Sequence, residues 1–456
     1  MNNFNLKFKI FFLLAIFFML PNFVKAANFY VATNGNDSTG DGSIGNPWLT
    51  PKYGATQLAS GDTLYLRGGT YDNVLVENIS ATIAILPAAT NTTIASYPDE
   101  EAIITGNGGV APTGWVIGAN SLASGMTIRD LTIKGAVVIF SATDVTIENC
   151  DISVGGDLWT GNLQGEIIYV QGGINTVIQN NVLHDSTNQP GGSGDVVLVY
   201  KSDGLIVQNN EIYGSARAGI NVKDTSNNAT IRYNFIHDNV IDGIWTANQA
   251  NPFVVGSTTY TMTDNLNIYQ NIITNNSNGN GINLSIHVKN VHIFNNTFYY
   301  NGNDYYHANS QVYPIEFFNN ISFNPVDHFL YWPGGSYSSM WNLSYLDYNN
   351  YYRAVGPIWD YRYTDYTTLA AWQTAAQSFL AGSEENSVTT DPGFMNASGN
   401  FNTPADFRRV SYVTNGRGGS SPSVIGAYIT GNEVIGVNAA PADTIAPGAP
   451  SGLGVL

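Results

Sequence analysis

Cysteine and charged residues are scarce in this sequence, and each scarcity excludes a class of protein. A single cysteine in 456 residues rules out a disulfide scaffold and a cysteine-ligated zinc site. Only 11% of the residues are charged, and 34 acidic residues against 17 basic ones give a net charge of −17. Such a chain offers no basic face to a phosphate backbone, so we expect no nucleic acid partner.

Glycine and hydrophobic residues, by contrast, are plentiful. The chain has 47 glycines, 43% hydrophobic residues and 12% aromatic residues, a composition that excludes intrinsic disorder. Asparagine is frequent as well, and together with glycine it favours turns. We therefore predict an all-β protein and not a helical bundle.

The first 26 residues have the pattern of a signal peptide. Lys7 and Lys9 precede an apolar run from Ile10 to Leu20, and the segment ends on the small residue Ala26. We predict cleavage near Ala26 and a secreted, extracellular protein. No later apolar run is long enough to span a bilayer, so we expect no membrane span.

A short repeat dominates the middle of the chain. Each copy has an apolar residue, two variable residues, a turn position and two more strand residues, as in VIQNNVL (177–183) and IVQNNEI (206–212). The copies recur about every 19 to 37 residues, which is a solenoid period with loop insertions. The turn position falls at Leu131, Cys150, Asn181, Asn210, Asn234, Asn271, Asn296 and Asn320.

This repeat predicts a parallel β-helix with one continuous core. Strands of three to five residues at this spacing fit about nine or ten coils of three short strands. Ile178, Val207, Ile231 and Ile268 should stack in one buried column. Asparagine at the turn tolerates the left-handed conformation, and its side chain can pair with the asparagine of the next coil. Cys150 occupies one such turn, where we expect a buried thiol.

Segments near both ends resemble a known group of proteins. The stretch 29–73, which closes on GDTLYLRGGTYDN, resembles the opening of secreted right-handed parallel β-helix proteins of the pectate-lyase-like superfamily, among them bacterial polysaccharide lyases. TIASYPDEEAIITG (93–106) is similar to their next coil, and DYNNYY (347–352) and TTDPGF (389–394) are similar to a C-terminal segment of bacterial members. The resemblance implies a right-handed parallel β-helix. It leaves the activity open, because the superfamily includes lyases, hydrolases, epimerases and proteins without known activity.

The domain organisation follows from the repeats and the resemblance. Because a solenoid exposes its core at both ends, we predict short capping helices within 47–60 and 367–380. After residue 430 the composition shifts to Pro, Ala and Gly and resembles the lead-in to a fibronectin type III module. The predicted regions are a signal peptide (1–26), an N-terminal cap with the first coils (27–105), the repeat core (106–330), C-terminal coils with a cap (331–430) and a linker (431–456).

Candidate functional residues lie on the outward face of the strand that precedes each asparagine turn. Alternation along these strands places the following residues inside: Ile168, Leu198, Ile220, Ile244 and Ile282. One outward column then contains Tyr169, Val199, Asn221, Trp245 and Asn283. The next outward column contains Gln171, Lys201, Lys223, Ala247 and Ser285. This register places Lys201 and Lys223 on adjacent strands, about 4.8 Å apart.

Two stacked lysines suit the chemistry of a lyase that cleaves uronate-containing polysaccharides. Each ammonium group disfavours the charge of the other, which lowers a lysine pKa toward the range of a base. A uronate lyase needs such a base to remove the proton α to the sugar carboxylate, and a cation to stabilise the developing charge. We assign the base to Lys223 and the carboxylate clamp to Lys201. The substrate-binding candidates are Tyr169, Asn221, Trp245, Arg217, Arg232 and Tyr260.

The same face of the protein is also compatible with a function that involves no catalysis. Asp203 and Asp224 can neutralise the lysines on a solvated surface. β-Helix lyases of the chondroitinase B and alginate lyase type pair a lysine with an arginine on the next coil, and residues 244–246 contain none. A carbohydrate-binding or adhesion module therefore stays an alternative.

Acidic residues near the lysines allow two further interpretations, a calcium site and a glycoside hydrolase. Asp195, Asp238 and Asp242 can offer carboxylate ligands to Ca²⁺, the one cofactor we consider. The same residues can act as paired carboxylates of a glycoside hydrolase. In every reading we expect a monomer whose partner is an extracellular polysaccharide.

Overall fold

The computed structural model describes most of the chain after the predicted signal peptide. Residues 1–25 of that peptide and residues 438–456 of the predicted linker lie outside the described part. Within it, no helix has the length and apolar character that a membrane crossing needs. The described residues are 26–72, 84–105, 115–153, 165–187, 194–247, 253–255, 258–260, 262–285, 288–307, 312–333, 343–354, 356, 358–396, 401–410, 416–417 and 424–437.

Short strands wind around one axis and stack into three long parallel sheets, here named A, B and C, with strands numbered in chain order. Sheet A contains β1 (Asn28–Val31), β2 (Thr63–Leu66), β4 (Thr93–Ser96), β7 (Thr127–Arg129), β10 (Thr146–Glu148), β13 (Val177–Gln179), β16 (Ile206–Gln208), β19 (Asn227–Arg232), β24 (Thr263–Tyr269), β27 (Val288–Phe294), β30 (Val312–Phe318) and β33 (Leu343–Asp347). Sheet B contains β3 (Gly69–Tyr71), β5 (Ala102–Thr105), β8 (Thr132–Lys134), β11 (Asp151–Ser153), β14 (Val182–His184), β17 (Glu211–Tyr213), β20 (Phe235–His237), β25 (Ile272–Thr274), β28 (Thr297–Tyr299), β31 (Ile321–Phe323) and β34 (Asn350–Tyr352).

Sheet C completes each coil and ends in a short antiparallel hairpin. It contains β6 (Ile117–Asn120), β9 (Val137–Phe140), β12 (Ile168–Gln171), β15 (Val197–Tyr200), β18 (Ala218–Lys223), β21 (Asp242–Ala247), β26 (Asn280–Leu284), β29 (Asn303–His307), β32 (His328–Trp332), β35 (Trp359–Tyr361) and β36 (Asp365–Tyr366). Strand β36 pairs antiparallel with β35. A separate hairpin joins β22 (Phe253–Val255) to β23 (Thr258–Tyr260).

The predicted parallel β-helix is confirmed, and so is its number of coils. In the described part of the chain, ten coils have a strand in each of the three sheets, from β4, β5 and β6 to β33, β34 and β35, and the repeat predicted nine or ten. Strands β1, β2 and β3 precede them and extend sheets A and B without the asparagine repeat.

The core is the column of aliphatic side chains that the repeat predicts. Ile178 pairs with Val207, Val207 with Ile231, and Ile231 with Ile268, and all four are fully buried. Each such side chain contributes roughly 1.5–3 kcal/mol by leaving water. Cys150 is buried as expected, and burial raises the pKa of its thiol to about 12.

A ladder of buried asparagines follows the corner between sheets A and B. The Asn234 side-chain oxygen accepts hydrogen bonds from the backbone N–H and the amide of Asn210, both at 3.0 Å, and the pattern repeats along the stack. The predicted pairing is confirmed, but the left-handed conformation belongs to the preceding residue, such as Asn209 or Tyr233. The ladder consists of Asn181, Asn210, Asn234, Asn271, Asn296, Asn320 and Asn349.

Helices lie near the two ends of the stack, as predicted. Helix α1 (Pro51–Gln57) follows Thr50, whose hydroxyl accepts a hydrogen bond from the Tyr53 N–H at 3.2 Å. Helix α2 (Leu369–Phe379) follows Thr368 and buries Trp372 against Trp359, with ring centroids 6.2 Å apart. Short 3₁₀ turns are formed by Ser121–Ala123 and Pro404–Phe407.

The C-terminal segment 424–437 packs back along the stack. The Gly426 N–H donates to the Asn319 carbonyl at 2.7 Å, and the Asn209 amide donates to the Val434 carbonyl at 2.7 Å. Ile435 joins a second apolar cluster beside sheet B. Residues 431–437 of the predicted linker therefore contact the β-helix.

Candidate functional site

The register of sheet C differs from the predicted one in strand β15. Val197 pairs with Ile168 and Ile220, so Val197 takes the inward position that we assigned to Leu198. Leu198 then lies in the outward column in place of Val199. The error arose because Val196–Val199 are all apolar, and a strand without alternation does not reveal which side chains point inward.

This shift removes the predicted lysine ladder. Lys223 pairs with Tyr200 on one side and with Ala247 on the other. Lys201 is the residue after β15 and adopts the left-handed conformation with a φ of 49°, so it lies at the corner of the coil. The prediction that Lys201 and Lys223 stack on adjacent strands is therefore wrong, and with it the assignment of Lys201 as a clamp.

Lys223 lies instead in a buried aromatic environment. Its Nζ donates to the Tyr200 hydroxyl at 3.1 Å and lies 5.3 Å from the centre of the Trp245 ring. Only 5% of Lys223 is exposed. Burial lowers the pKa of this lysine, the charge of Arg217 lowers it further, and Asp195 acts in the opposite direction. Burial has the reverse effect on the phenol and raises the pKa of Tyr200, which keeps its hydroxyl protonated.

Arg217 brings a second cation to the same place. Its guanidinium carbon lies 3.9 Å from the centre of the Trp245 ring, within the range of a cation–π interaction. Trp245 is held from its other end, because the indole N–H donates to the Ser285 hydroxyl at 2.7 Å. Arg217 directly precedes β18, so the corner before the lysine strand brings a guanidinium to the Trp245 ring.

Two buried carboxylates line the beginning of these strands. Asp195 is fully buried, and its oxygens accept from the Ala218 N–H at 3.2 Å and the Asn221 amide at 2.7 Å. Asp242 is 3% exposed and accepts from the Asn280 amide at 2.7 Å. Burial raises the pKa of both carboxyl groups, while the amide hydrogen bonds lower it. In the corrected register, Asp195 lies opposite Ala218, and Ala218 pairs with Asp242. The two aspartates therefore occupy equivalent positions on either side of strand β18.

Asn221 links the carboxylates to the lysine strand. It is fully buried, and its amide nitrogen donates to Asp195, but its side-chain oxygen has no hydrogen-bond partner among the residues that the structure describes. A buried acceptor without a partner is costly. A donor group from a bound ligand is one way to satisfy it.

Three predicted site residues lie away from this cluster. Asp238 follows β20 in sheet B and binds the neighbouring His237 Nδ1 at 2.7 Å, so the predicted calcium triad does not converge. Arg232 lies in sheet A, where its guanidinium contacts the Gln208 and Tyr269 side chains. Tyr260 is in the hairpin strand β23, and its side chain lies outside the described part of the structure.

A row of outward residues extends from the cluster to the end of sheet C, and we call it the outward row. Tyr306 and Tyr331 are neighbours in this row, with ring centroids 5.5 Å apart and ring planes tilted by 39°, whereas the adjacent Tyr305 is buried in the core. With strands about 4.8 Å apart the row is about 34 Å long, enough for several sugar units. It consists of Tyr169, Leu198, Asn221, Trp245, Asn283, Tyr306, Tyr331 and Asp360.

Comparison with known proteins agrees with this architecture. A family model described as right handed beta helix region matches residues 115–320. The crystal structure of pectate lyase Pel9A is 14% identical, with a TM-score of 0.54 over 89% of this chain and 96% of that one. A rhamnogalacturonan lyase is 13% identical, with a TM-score of 0.43 over 72% and 82%. XylC in complex with xylose is 11% identical, with a TM-score of 0.47 over 80% and 87%.

The family model and the pectate lyase structure confirm the fold and the resemblance to pectate-lyase-like β-helix proteins that the sequence predicted. The chain is a right-handed parallel β-helix of the kind found in pectate lyase. A search of curated protein sequences found no match. At these identities the likeness establishes the fold alone, so the chemistry rests on the site residues.

Proposed function

We propose that this right-handed parallel β-helix protein binds an acidic, uronate-containing polysaccharide along the outward row of sheet C and cleaves it by β-elimination. The observation that carries the proposal is that a buried lysine of lowered pKa, Lys223, and the guanidinium of Arg217 come from opposite ends of strand β18 and both lie against the Trp245 ring. One group can act as a base and the other as a fixed positive charge.

The reaction needs three groups, and the cluster supplies each. Neutral Lys223 would take the proton α to the sugar carboxylate, and Arg217 would stabilise the negative charge that develops on that carboxylate. The electron pair of the broken C–H bond forms the new carbon–carbon double bond as the glycosidic C–O bond breaks. Tyr200, whose phenol stays protonated, is within 3.1 Å of the lysine and can donate a proton to the leaving oxygen.

Trp245 and Tyr306 provide the contacts that a sugar chain uses. Aromatic rings stack on the apolar faces of sugars, and Trp245 is fixed by its hydrogen bond to Ser285. Calcium does not enter this mechanism. Asp195 and Asp242 already accept amide hydrogen bonds, and Asp238 lies in another sheet, so the three residues do not form the oxygen cage that Ca²⁺ prefers.

The test is a screen of the purified protein against pectate, alginate and glycosaminoglycans. β-Elimination creates an unsaturated uronate at the new non-reducing end, so ultraviolet absorbance should rise together with new reducing ends. Reducing ends without that absorbance would contradict elimination. Binding without either signal would support the carbohydrate-binding module instead.

Hydrolysis is the second candidate, and one observation favours it. Asp195 and Asp242 are two strands apart, about 9.6 Å at the backbone, and burial raises the pKa of both. Inverting glycosidases hold their two carboxyl groups roughly 6.5–9.5 Å apart. In a hydrolase, Asp242→Asn should abolish the release of reducing ends. In a lyase, the same variant should still form the unsaturated product, because Lys223 is unchanged.

Export is part of the proposal, because a polysaccharide substrate is extracellular. It rests on the signal peptide predicted at residues 1–26. Protein recovered from the culture medium should begin at Ala27 by N-terminal sequencing. A protein that stays inside the cell with residues 1–26 attached would contradict it.

A further inference from the structure

A second cluster of polar side chains lies at the far end of sheet C. His328 begins β32, and Asp360 and Asp365 face each other across the β35–β36 hairpin. One ring nitrogen of His328 and one oxygen from each carboxylate lie within 4.8 Å of one another. Two carboxylates directly opposite each other repel, so this arrangement calls for a compensating positive charge.

A chain of hydrogen bonds fixes the tautomer of His328. The Asp242 oxygen that faces the Asn280 side chain also accepts from the Asn280 backbone N–H at 3.0 Å, so the Asn280 amide nitrogen faces it at 2.7 Å and the Asn280 oxygen faces the next residue. The Asn303 amide nitrogen donates to that oxygen at 2.9 Å, which leaves the Asn303 oxygen facing the His328 Nδ1 at 2.8 Å. Nδ1 of His328 must therefore carry a hydrogen, which leaves Nε2 as the ring nitrogen that a metal ion can bind.

That nitrogen points at a carboxylate. His328 Nε2 lies 3.3 Å from an Asp365 oxygen, so a metal ion bound by the ring would find a carboxylate ligand beside it. The ring orientation is held by Tyr331, which stacks on it with centroids 5.0 Å apart. Asp360 is 4% exposed. The Asp365 side chain is 60% exposed, which leaves the cluster open to an ion from solution.

We propose that His328, Asp360 and Asp365 bind one divalent transition-metal ion of the Zn²⁺ or Mn²⁺ class and thereby fasten the β35–β36 hairpin to β32. One imidazole nitrogen with two carboxylate oxygens suits such an ion, whereas Ca²⁺ takes six to eight oxygen ligands. Asn303 orients the histidine through Nδ1, as partners of metal-binding histidines do.

The ion site is separate from the proposed cleavage cluster. Asp360 and Trp245 are four strands apart in the outward row, about 19 Å at the backbone. The ion would therefore contact neither Lys223 nor Arg217. Its binding can be measured without any assay of polysaccharide cleavage.

The experiment is calorimetric titration of tag-free, chelator-treated protein with ZnCl₂, followed by thermal unfolding with and without the ion. We expect one ion per chain and a higher unfolding temperature in its presence. Asp365→Asn, on an exposed edge strand that tolerates the change, should weaken binding at least tenfold and remove the thermal shift. His328→Gln should do the same.

His184→Gln is the matched control. His184 also lies between two carboxylates, Asp151 at 3.1 Å and Asp185 at 2.8 Å, but they bind opposite ring nitrogens and cannot converge on one ion. This variant should bind Zn²⁺ as the wild type does. Failure of the wild type to bind either Zn²⁺ or Mn²⁺ would overturn the proposal, and so would an equal loss of binding in the control.

Discussion

Replacing a single asparagine of the ladder tests how the coils are held together. Asn234 is fully buried, and its oxygen accepts two hydrogen bonds from Asn210 at 3.0 Å. Its amide group donates its two hydrogens to three acceptors, the Val207 carbonyl at 2.8 Å, the Arg232 carbonyl at 2.9 Å and the Asn271 side chain at 3.0 Å. Asn234→Ala removes all of these hydrogen bonds while leaving the strands on either side unchanged.

The magnitude follows from what the alanine leaves behind. The buried Asn210 N–H loses its acceptor, which costs about 1–3 kcal/mol, and the hydrogen bonds of the Asn210 amide and of the two Asn234 amide hydrogens cost about 1 kcal/mol each. We therefore expect the free energy of unfolding to fall by about 4–6 kcal/mol. The assay is equilibrium urea unfolding, followed by tryptophan fluorescence.

Asn228→Gly serves as the control for this measurement. Asn228 also forms side-chain hydrogen bonds to neighbouring coils, to Asp203 and Asn265, both at 2.7 Å, but it is exposed. Its φ of 54° suits glycine, so the backbone is not strained. The change should cost less than about 1 kcal/mol. If Asn234→Ala cost no more than Asn228→Gly, the ladder would not stabilise the stack.

Three further predictions concern the cleavage cluster. Elimination should increase with pH and reach its plateau below about pH 10.4, the ordinary lysine pKa, because burial lowers the pKa of Lys223. Arg217 lowers the pKa of Lys223 and Asp195 raises it, so Arg217→Gln should shift the rising part of the pH–rate profile to higher pH and Asp195→Asn should shift it to lower pH. Shifts in the reverse directions would refute the assignment of Lys223 as the base. Exhaustive EDTA treatment should leave elimination intact, and a loss restored by Ca²⁺ alone would establish calcium as a cofactor.

The parts of the fold that repeat could be predicted from the sequence. We could predict the buried column that contains Ile178 and Val207 and the ladder that contains Asn181 and Asn210. Each coil packs only on its two neighbours, so equivalent positions need the same type of residue in every coil. The capping helices were predictable because an open core needs a cover. The turn conformation was assigned one residue too late, since the ladder asparagine and the left-handed residue are often both asparagine, as at Asn209 and Asn210.

The site was only partly predictable, for a physical reason in each case. The positions of Lys223, Trp245 and Asn221 on sheet C could be predicted because these residues alternate with clear inward residues. The false partner Lys201 came from β15, where four apolar residues in a row conceal the register. Arg217 reaches the next strand from a corner, a contact that strand alternation does not describe.

The ion cluster left no signal in the sequence. His328, Asp360 and Asp365 come from three strands, and no short spacing links the histidine to the two aspartates. The tautomer argument needs the orientation of Asn280 and Asn303, which depends on the register of β26 and β29. Only a folded chain brings these groups to one place.

The most direct test of the central claim compares two lysine variants on the polysaccharide that the screen identifies. Lys223→Ala should reduce the rate of unsaturated product formation by about 10²–10⁴-fold, the usual contribution of a general base, while retaining substrate binding. Lys201→Ala, at the corner of the preceding coil, should stay within about twofold of the wild type. Near-normal elimination by Lys223→Ala, or an equal loss in both variants, would contradict the assignment of Lys223 as the base.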